Sequence, residues 1–328
     1  MVDSPAALAP PSRVRFGASA QRVLVTGGTG FIGQILVRAL VADGHAVTVW
    51  TRDPRAAASR FGGAVRCVKT LDEIAPGEAC DVVVNLAGAR ILGWRWSARR
   101  RQQLMQSRVG LTDTLVAWIA SRTHKPWLLL SGSAIGYYGV QPQGDASALA
   151  EDAPPQDIFM SQLCQAWERS AHAAAAHGVQ VACMRFGLVL GQQGSLPMLM
   201  MPVRLGVAGR LGSGRQWLSW VHVHDLLRAL AHVWGLAAAS DRTTPAQAFN
   251  FTAPGALSQE NFTRVAADVL HRPFWLTTPG APVKLLLGEQ ADLLLEGQRV
   301  APARLLQSGF VFEFPDARAA LTDLCASR

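Results

Sequence analysis

Gly27, Gly30 and Gly33 recur at three-residue spacing, directly after a β-branched run and directly before an apolar helical pattern. In that order, backbone amides and the positive end of a helix can cradle a pyrophosphate. The sequence therefore predicts a dinucleotide loop. An NAD site also wants an acidic residue about 20 residues on, at the end of the next strand, for the ribose hydroxyls. This chain has Thr51 and Arg52 there, with Asp53 one step beyond. A guanidinium grips a 2′-phosphate through two hydrogen bonds, so NADP(H) is favoured over NAD(H).

Other residues invite a chemical reading. His222-x-His224-Asp225 resembles half of a metal site, since alternate residues of a strand share a face. No third ligand stands at suitable spacing, and Asp225 reads as the N-cap of the next helix, so no metal is expected. Arg215, inside the run Gly212-Ser213-Gly214-Arg215-Gln216-Trp217, is the best-placed residue to hold a substrate. Trp217 and Trp220 beside it, with Trp94 and Trp96 further back, offer rigid apolar platforms for a ring-shaped ligand. Arg95, Arg108 and Arg299 can serve an anionic substrate or cofactor phosphates. Met198, Met200 and Met201 lie in an apolar stretch around Pro197 and Pro202, which reads as core or a flexible wall.

These residues must be held by strands and helices, and both are legible. Residues 22–26, 46–50, 81–86, 127–130 and 180–186 are short apolar runs, hence strands. Helical patterns fall between them, from Ile32 to Val41 (stopped by Gly44), from Ser97 as N-cap to Ser121, and from Gln156 to His177. Alternation of this kind predicts an α/β fold with a doubly wound, mostly parallel Rossmann sheet. After Gly191 the pattern changes. A strand over 217–223, a helix over 225–234, a linker over 237–246, a strand over 248–251 and a helix N-capped by Ser258 are expected. The domain reading is a flexible tail over 1–21 and a Rossmann domain over 22–191, with 217–252 returning to it. Residues 192–216 and 253–328 then form a smaller α+β substrate lobe.

Composition sets the outer limits. The chain has 328 residues, 49% of them hydrophobic and 16% charged, a globular rather than disordered balance. No apolar run approaches the length of a membrane span. The net charge is +8, with only three lysines, Lys69, Lys125 and Lys284. Arg99, Arg100 and Arg101 fan around a helix instead of forming a stripe, which argues against a nucleic-acid partner. Five cysteines, none in a CxxC pair, argue against disulfides and zinc and for a reducing, cytoplasmic setting. The first 21 residues lack an apolar core, so they are no secretory signal. They read as a frayed tail, although an arginine-bearing, acid-poor segment also suits a transit peptide.

The run Gly27 to Gly33 (GGTGFIG), with Asn85-Leu86-Ala87-Gly88, resembles the extended short-chain dehydrogenase/reductase superfamily. Ser107-Arg108, Ser131 to Gly139 (SGSAIGYYG), Trp167-Glu168, Arg185 to Gly191 (RFGLVLG), Trp220 to Asp225 (WVHVHD) and Gln298-Arg299-Val300 narrow this. Together they resemble its atypical branch, NAD-dependent epimerase/dehydratase-like and sometimes labelled cell-division inhibitor-like. A short C-terminal domain of unknown function, here about 275–325, belongs to that branch. The resemblance implies cofactor contacts from Thr29, Phe31, Ile32, Leu86, Ala87, Gly88, Arg108, Ser131, Phe186, Gly187 and Leu188.

Superfamily enzymes use a Ser/Thr, a Tyr and a Lys, and the resemblance puts Ser133 at the serine position. The YxxxK pair is missing. Tyr137 and Tyr138 are the only tyrosines, and family spacing back from Glu168 puts Met160 and Cys164 at the dyad positions. A thioether has no exchangeable proton, and a thiol carries no positive charge. Tyr137 is then the leading substitute acid/base, followed by Tyr138 or a Cys164 of lowered pKa. The expected function is an NADP(H)-binding oxidoreductase or epimerase-like enzyme on a small polar substrate, as monomer or homodimer. A non-catalytic NADP(H)-binding sensor or scaffold is the alternative.

Overall fold

Short runs of valine and leucine make the strands. The computed structural model describes residues 14–91, 93, 95–241 and 246–326. In chain order the strands are β1 (Arg22–Thr26), β2 (Ala46–Trp50), β3 (Arg66–Val68), β4 (Val82–Asn85), β5 (Leu128–Ala134), β6 (Gln180–Phe186) and β7 (Leu188–Leu190). Then follow β8 (Ala208–Leu211), β9 (Trp217–Leu218), β10 (Trp220–His222), β11 (Gln247–Phe251), β12 (Leu257–Ser258) and β13 (Phe274–Thr278). The helices are α1 (Phe31–Ala42), α2 (Pro54–Arg60), α3 (Ala98–Met105), α4 (Leu111–Ser121), α5 (Phe159–His172) and α6 (Leu196–Arg204). After them come α7 (Val223–Ala239), α8 (Gln259–Val269), α9 (Gly280–Leu287), α10 (Asp292–Leu295), α11 (Ala303–Gln307) and α12 (Ala317–Ala326).

Seven strands form one parallel sheet in the order β11-β6-β5-β4-β1-β2-β3. Side chains alternate across it, as a period of two requires. Val23, Val25, Val82, Val84, Leu128 and Leu130 pack on one face with α1 and α7. Leu24, Val83 and Leu129 pack on the other with α4. The expected doubly wound sheet is therefore present. Its strand order reverses between β1 and β4, so the carboxyl ends of those strands open a crevice, where ligands bind in such sheets.

A third core builds the smaller lobe. Trp220, Leu190, Leu196 and Met200 pack there with Phe262 and Leu321. β13 pairs with β8 in parallel, and β12 with β9 in antiparallel.

Several boundaries differ from expectation, each for a physical reason. The chain is packed before residue 22: Phe16 is fully buried against His45 and Trp234, and its amide donates to Asp43. The expected helix over 97–121 is interrupted by a π-turn at Gln106–Gly110, a feature frequent at functional sites. The expected strand over 217–223 splits at Ser219, whose carbonyl accepts from Leu188 and whose hydroxyl donates to Gln298. The helix expected at 225–234 runs from 223 to 239. His222, not Asp225, caps it by accepting from the His224 amide. Ser97 and Ser258 do cap their helices. Trp94 lies outside the described residues, as do residues 1–13 of the tail and 242–245 of the linker.

Candidate functional site

The glycine loop follows β1 and faces the crevice. Gly27 has φ +67°, and a Cβ on it would stand 2.6 Å from the carbonyl of Leu86. A Cβ on Gly33 would stand 2.2 Å from the Gly27 oxygen, so α1 can press against the loop only with glycine there. The Gly30 amide closes the turn on the Gly27 carbonyl at 2.9 Å. No side chain caps α1, and no acidic residue sits in its first turn. The first-turn amides, those of Phe31, Ile32 and Gly33, thus have neither an intrahelical partner nor a side-chain one. That is the donor set a pyrophosphate requires.

Thr51 and Arg52 sit at the end of β2, the first half-buried and the second exposed. The Asp53 carboxylate is turned into its own helix, where it accepts from the Ala56 amide at 3.0 Å and caps α2. After β4, residues 86–88 cross the far side of the crevice. A polar chain fixes them: Thr26 donates to Asn85 at 2.7 Å, and the Ala87 amide donates to Thr26. Asn85 also reaches Thr112 and Ser131. Ser107 and Arg108, both in the π-turn, bind the amide and carbonyl of Ala89. Arg108 is buried and has no carboxylate partner among the described residues. Its guanidinium lies 5.3 Å from the Trp167 ring. Burial without a counter-charge pulls its pKa down to about 10.

Ser133, at the end of β5, is buried, and its hydroxyl donates to Glu168 at 2.7 Å. Both Glu168 oxygens also accept from Arg185, each at 2.8 Å. Arg185 donates on to the Tyr138 hydroxyl, which donates to Asn250. Burial raises the Tyr138 pKa. The Tyr137 ring lies under the Arg185 guanidinium at 3.5 Å. The sequence motifs contained both Glu168 and Arg185, but nothing local marked them as a buried ion pair.

Met160 and Cys164 do face the turn that follows β5. A Cβ on Gly136 would lie 3.3 Å from Met160 Cε and 3.8 Å from Cys164 Sγ. Burial pushes the Cys164 thiol up to about 12, so it stays protonated and cannot act as the lowered-pKa acid/base.

A cavity of about 710 Å³ opens beside this turn, between the sheet and the smaller lobe. Ala134, Ile135 and Gly136 line it on the β5 side, and Phe186, Gly187 and Leu188 on the β6 side. Trp217 lines it, with its indole N–H on the Asp145 carbonyl at 2.8 Å. Trp220 does not: three residues on along an extended chain it faces the opposite side, and it is fully buried in the lobe core. Arg215 is exposed and lies outside the cavity lining, as do Ser133 and Tyr137. The lining is mainly aromatic and aliphatic, with charged and polar side chains among them. Trp96, Phe159 and the α10 residues Asp292 and Leu293 complete the walls. Of these, sequence reasoning named only Trp96. The rest come from distant segments whose meeting no local pattern announces.

The His222 and His224 side chains do not share a strand face, because α7 begins at residue 223. Their Nε2 atoms face Asp323 and Glu313 respectively, each at 3.2 Å. Among the described residues no group of three or more His, Cys, Asp or Glu side chains is arranged to hold a metal. No helix of the described residues is long and apolar enough to cross a membrane.

A parallel seven-stranded sheet with a glycine loop at its switch point and an uncapped helix behind it defines a dinucleotide-binding Rossmann protein. The chain belongs to the NAD dependent epimerase/dehydratase family, whose profile matches residues 23–250, and residues 278–324 match a domain of unknown function, DUF1731. It is 34% identical over 311 residues to the epimerase family protein YfhF of Bacillus subtilis (strain 168), covering 93% of this chain and 98% of that one. It is 35% identical to the chloroplastic epimerase family protein SDR39U1 homolog of Arabidopsis thaliana, over 92% of this chain and 86% of that one. The human epimerase family protein SDR39U1 (isoform 2), crystallised with NADPH, superposes with a TM-score of 0.80 at 32% identity, over 94% of this chain and 100% of that one. A UDP-galactose 4-epimerase superposes at 0.70 with 21% identity, over 93% of this chain and 99% of that one, and so shares the fold alone.

Proposed function

We propose that the chain is an NADP(H)-dependent oxidoreductase or epimerase-like enzyme acting on a small molecule in the cavity. One observation carries the cofactor choice. At the end of β2 the only carboxylate, Asp53, is spent on capping α2, while Arg52 is exposed with no partner among the described residues. That arrangement suits a 2′-phosphate better than a free 2′-hydroxyl. The human relative crystallised with NADPH supports the same reading.

In this reading Gly27, Thr29 and Gly30, with the first-turn amides of α1 at Phe31, Ile32 and Gly33, hold the pyrophosphate. Thr51 and Arg52 hold the 2′-phosphate. Leu86, Ala87, Gly88, Arg108 and Ser131 flank the far half of the cofactor. Phe186, Gly187 and Leu188 bring its reactive end to the cavity they line. Bound there, the nicotinamide supplies or accepts a hydride. Tyr137 follows the lining residue Gly136 but lies outside the lining itself, and it is the remaining phenol for proton exchange with a substrate that reaches past that wall, since the Tyr138 hydroxyl is tied to Asn250. Ser133 orients the site from behind, by tying β5 to α5 through Glu168.

The test is a calorimetric titration with NADPH and NADH on wild type and Arg52→Ala. NADPH is expected to bind more tightly, and Arg52→Ala to remove most of that difference. Equal binding of both nucleotides by wild type counts against the assignment. A non-catalytic sensor is the second reading, favoured by Met160 and a protonated Cys164 at the dyad positions. NADPH oxidation over a carbonyl panel, lost in Tyr137→Phe, supports the enzyme. Tight NADPH binding with no oxidation, alongside changed amide exchange in the smaller lobe, supports the sensor.

A further inference from the structure

The walls of the cavity say what kind of molecule it admits, and this inference rests on reading that cavity as the substrate site. Trp96 and Phe159 meet edge to face, with centroids 5.4 Å apart, and form one wall. Leu199, Leu211, Trp217 and Leu293 form the others. Such surfaces favour a flat apolar body.

The charges point the same way. Four carboxylates stand in the lining, on Asp157, Glu289, Asp292 and Glu296. Among the described residues the single cation in it is Arg101, which is ion-paired to Glu289 and lies over the Phe159 ring at 5.1 Å. Lys284, outside the lining, reaches Asp292 at 4.0 Å and Glu296 at 3.7 Å. Two cations thus oppose four carboxylates, and each cation already has its partner. Arg299 stands behind Trp217, where it binds the Ala146 carbonyl. Of the four uncharged polar side chains of the lining, three are committed, and Ser195 is the fourth. Ser219 donates to the Gln298 carbonyl, Gln298 to that of Gly139, and Gln259 to that of Gly209. A diphosphate entering here would meet like charge and few free donors.

We propose that the cavity binds an apolar ring compound that is neutral or carries a cationic end, and that it excludes nucleoside diphosphates. Asp292 and Glu296 share the one charge of Lys284, and the negative charge left over selects the cation, while the aromatic wall of Trp96 and Phe159 holds the ring. The UDP-sugar enzymes that share this fold therefore do not share its substrate class.

Four probes test this by calorimetry, each with and without saturating NADPH: naphthalen-2-ylmethanamine, naphthalen-2-ylmethanol, 2-naphthoate and UDP-glucose. The amine and the alcohol are expected to bind, naphthoate about tenfold more weakly than the amine, and UDP-glucose without measurable heat. The double variant Asp292→Asn/Glu296→Gln is expected to erase the preference for amine over alcohol. Leu199→Trp, which narrows the cavity at one wall, is expected to weaken binding of both while leaving NADPH affinity unchanged. UDP-glucose or naphthoate binding as tightly as the amine overturns the proposal. So does NADPH binding with no naphthyl probe binding. If the probes bind in the expected charge order but NADPH does not, the substrate class stands and the cofactor reading falls.

Discussion

The Ser133 hydroxyl donates to Glu168 Oε1 at 2.7 Å, and Glu168 in turn holds Arg185 through both of its oxygens. The residue that family resemblance makes catalytic is here the first member of a buried chain. That chain runs through β5, α5 and β6 and ends on Asn250 in β11. Breaking it at Glu168 leaves a buried guanidinium without its counter-ion. Glu168→Ala is expected to cost about 3–5 kcal/mol in urea unfolding. Ser133→Ala removes one hydrogen bond to a charged group and is expected to cost about 1.5–3 kcal/mol. Turnover lost in Ser133→Ala with stability unchanged would instead put this serine in contact with substrate.

The buried thiols give a second measurement. Burial pushes Cys80 and Cys164 up to about 12 and Cys183 well above the ordinary value. The thiolate is the form that reacts. Iodoacetamide at about pH 8 is therefore expected to label the half-exposed Cys67 and Cys325 well before these three. Peptide mass spectrometry reads the order. Early labelling of Cys164 would show a thiol that is reactive after all and return it to the list of acid/base candidates.

Gly27→Ala tests the loop. A side chain at φ +67° costs about 1–2 kcal/mol, and its methyl would strike the Leu86 backbone. The collision pushes residues 86–88 away from β1 and deforms both sides of the crevice. NADPH affinity is expected to fall at least about tenfold, far more than the thermal midpoint suggests. Gly44→Ala is the control, because its φ of +91° carries the same strain with nothing within reach of the Cβ. Equal loss of affinity in both variants would make the effect one of stability alone.

How much of this was legible depended on how far apart the cooperating residues are. β6 was readable to its ends, since its six buried residues, facing both sides, must be apolar or paired. The glycine loop was readable because its constraint is local. Asp225 was misread because its carboxylate serves the amides of Glu313 and Phe314, 88 and 89 residues away, and so is not free to cap a helix. Trp217 and Trp220 looked equivalent, but a spacing of three puts them on opposite faces of an extended chain, one at the cavity and the other in the core. The π-turn escaped notice because its extra residue leaves the apolar spacing of the flanking helices intact.

The last prediction concerns the joint between the sheet and the C-terminal segment. His222 stacks on Phe314 with ring centroids 3.9 Å apart, and faces Asp323. His224 faces Glu313, which also pairs with Arg228. Burial lowers both imidazole pKa values, against the pull of Asp323 and Asp225 on His222 and of Glu313 and Asp225 on His224. In the unfolded chain each titrates near 6.5. Between the folded and unfolded values, the unfolded state binds more protons. The neutral imidazoles thus contribute stability that is fully present above pH 6.5 and is lost as pH falls from there through the folded values. The thermal midpoint is expected to drop between about pH 7 and pH 5, and to drop less in His222→Asn/His224→Asn. The slope is expected to persist in part, because burial also lowers His172 and His232. Amide exchange of residues 310–326 should rise first on acidification, since Glu313, Phe314 and Asp323 of this segment meet the two imidazoles. A midpoint that climbs on acidification would mean that the facing carboxylates outweigh burial, and that this joint is strengthened by protonation.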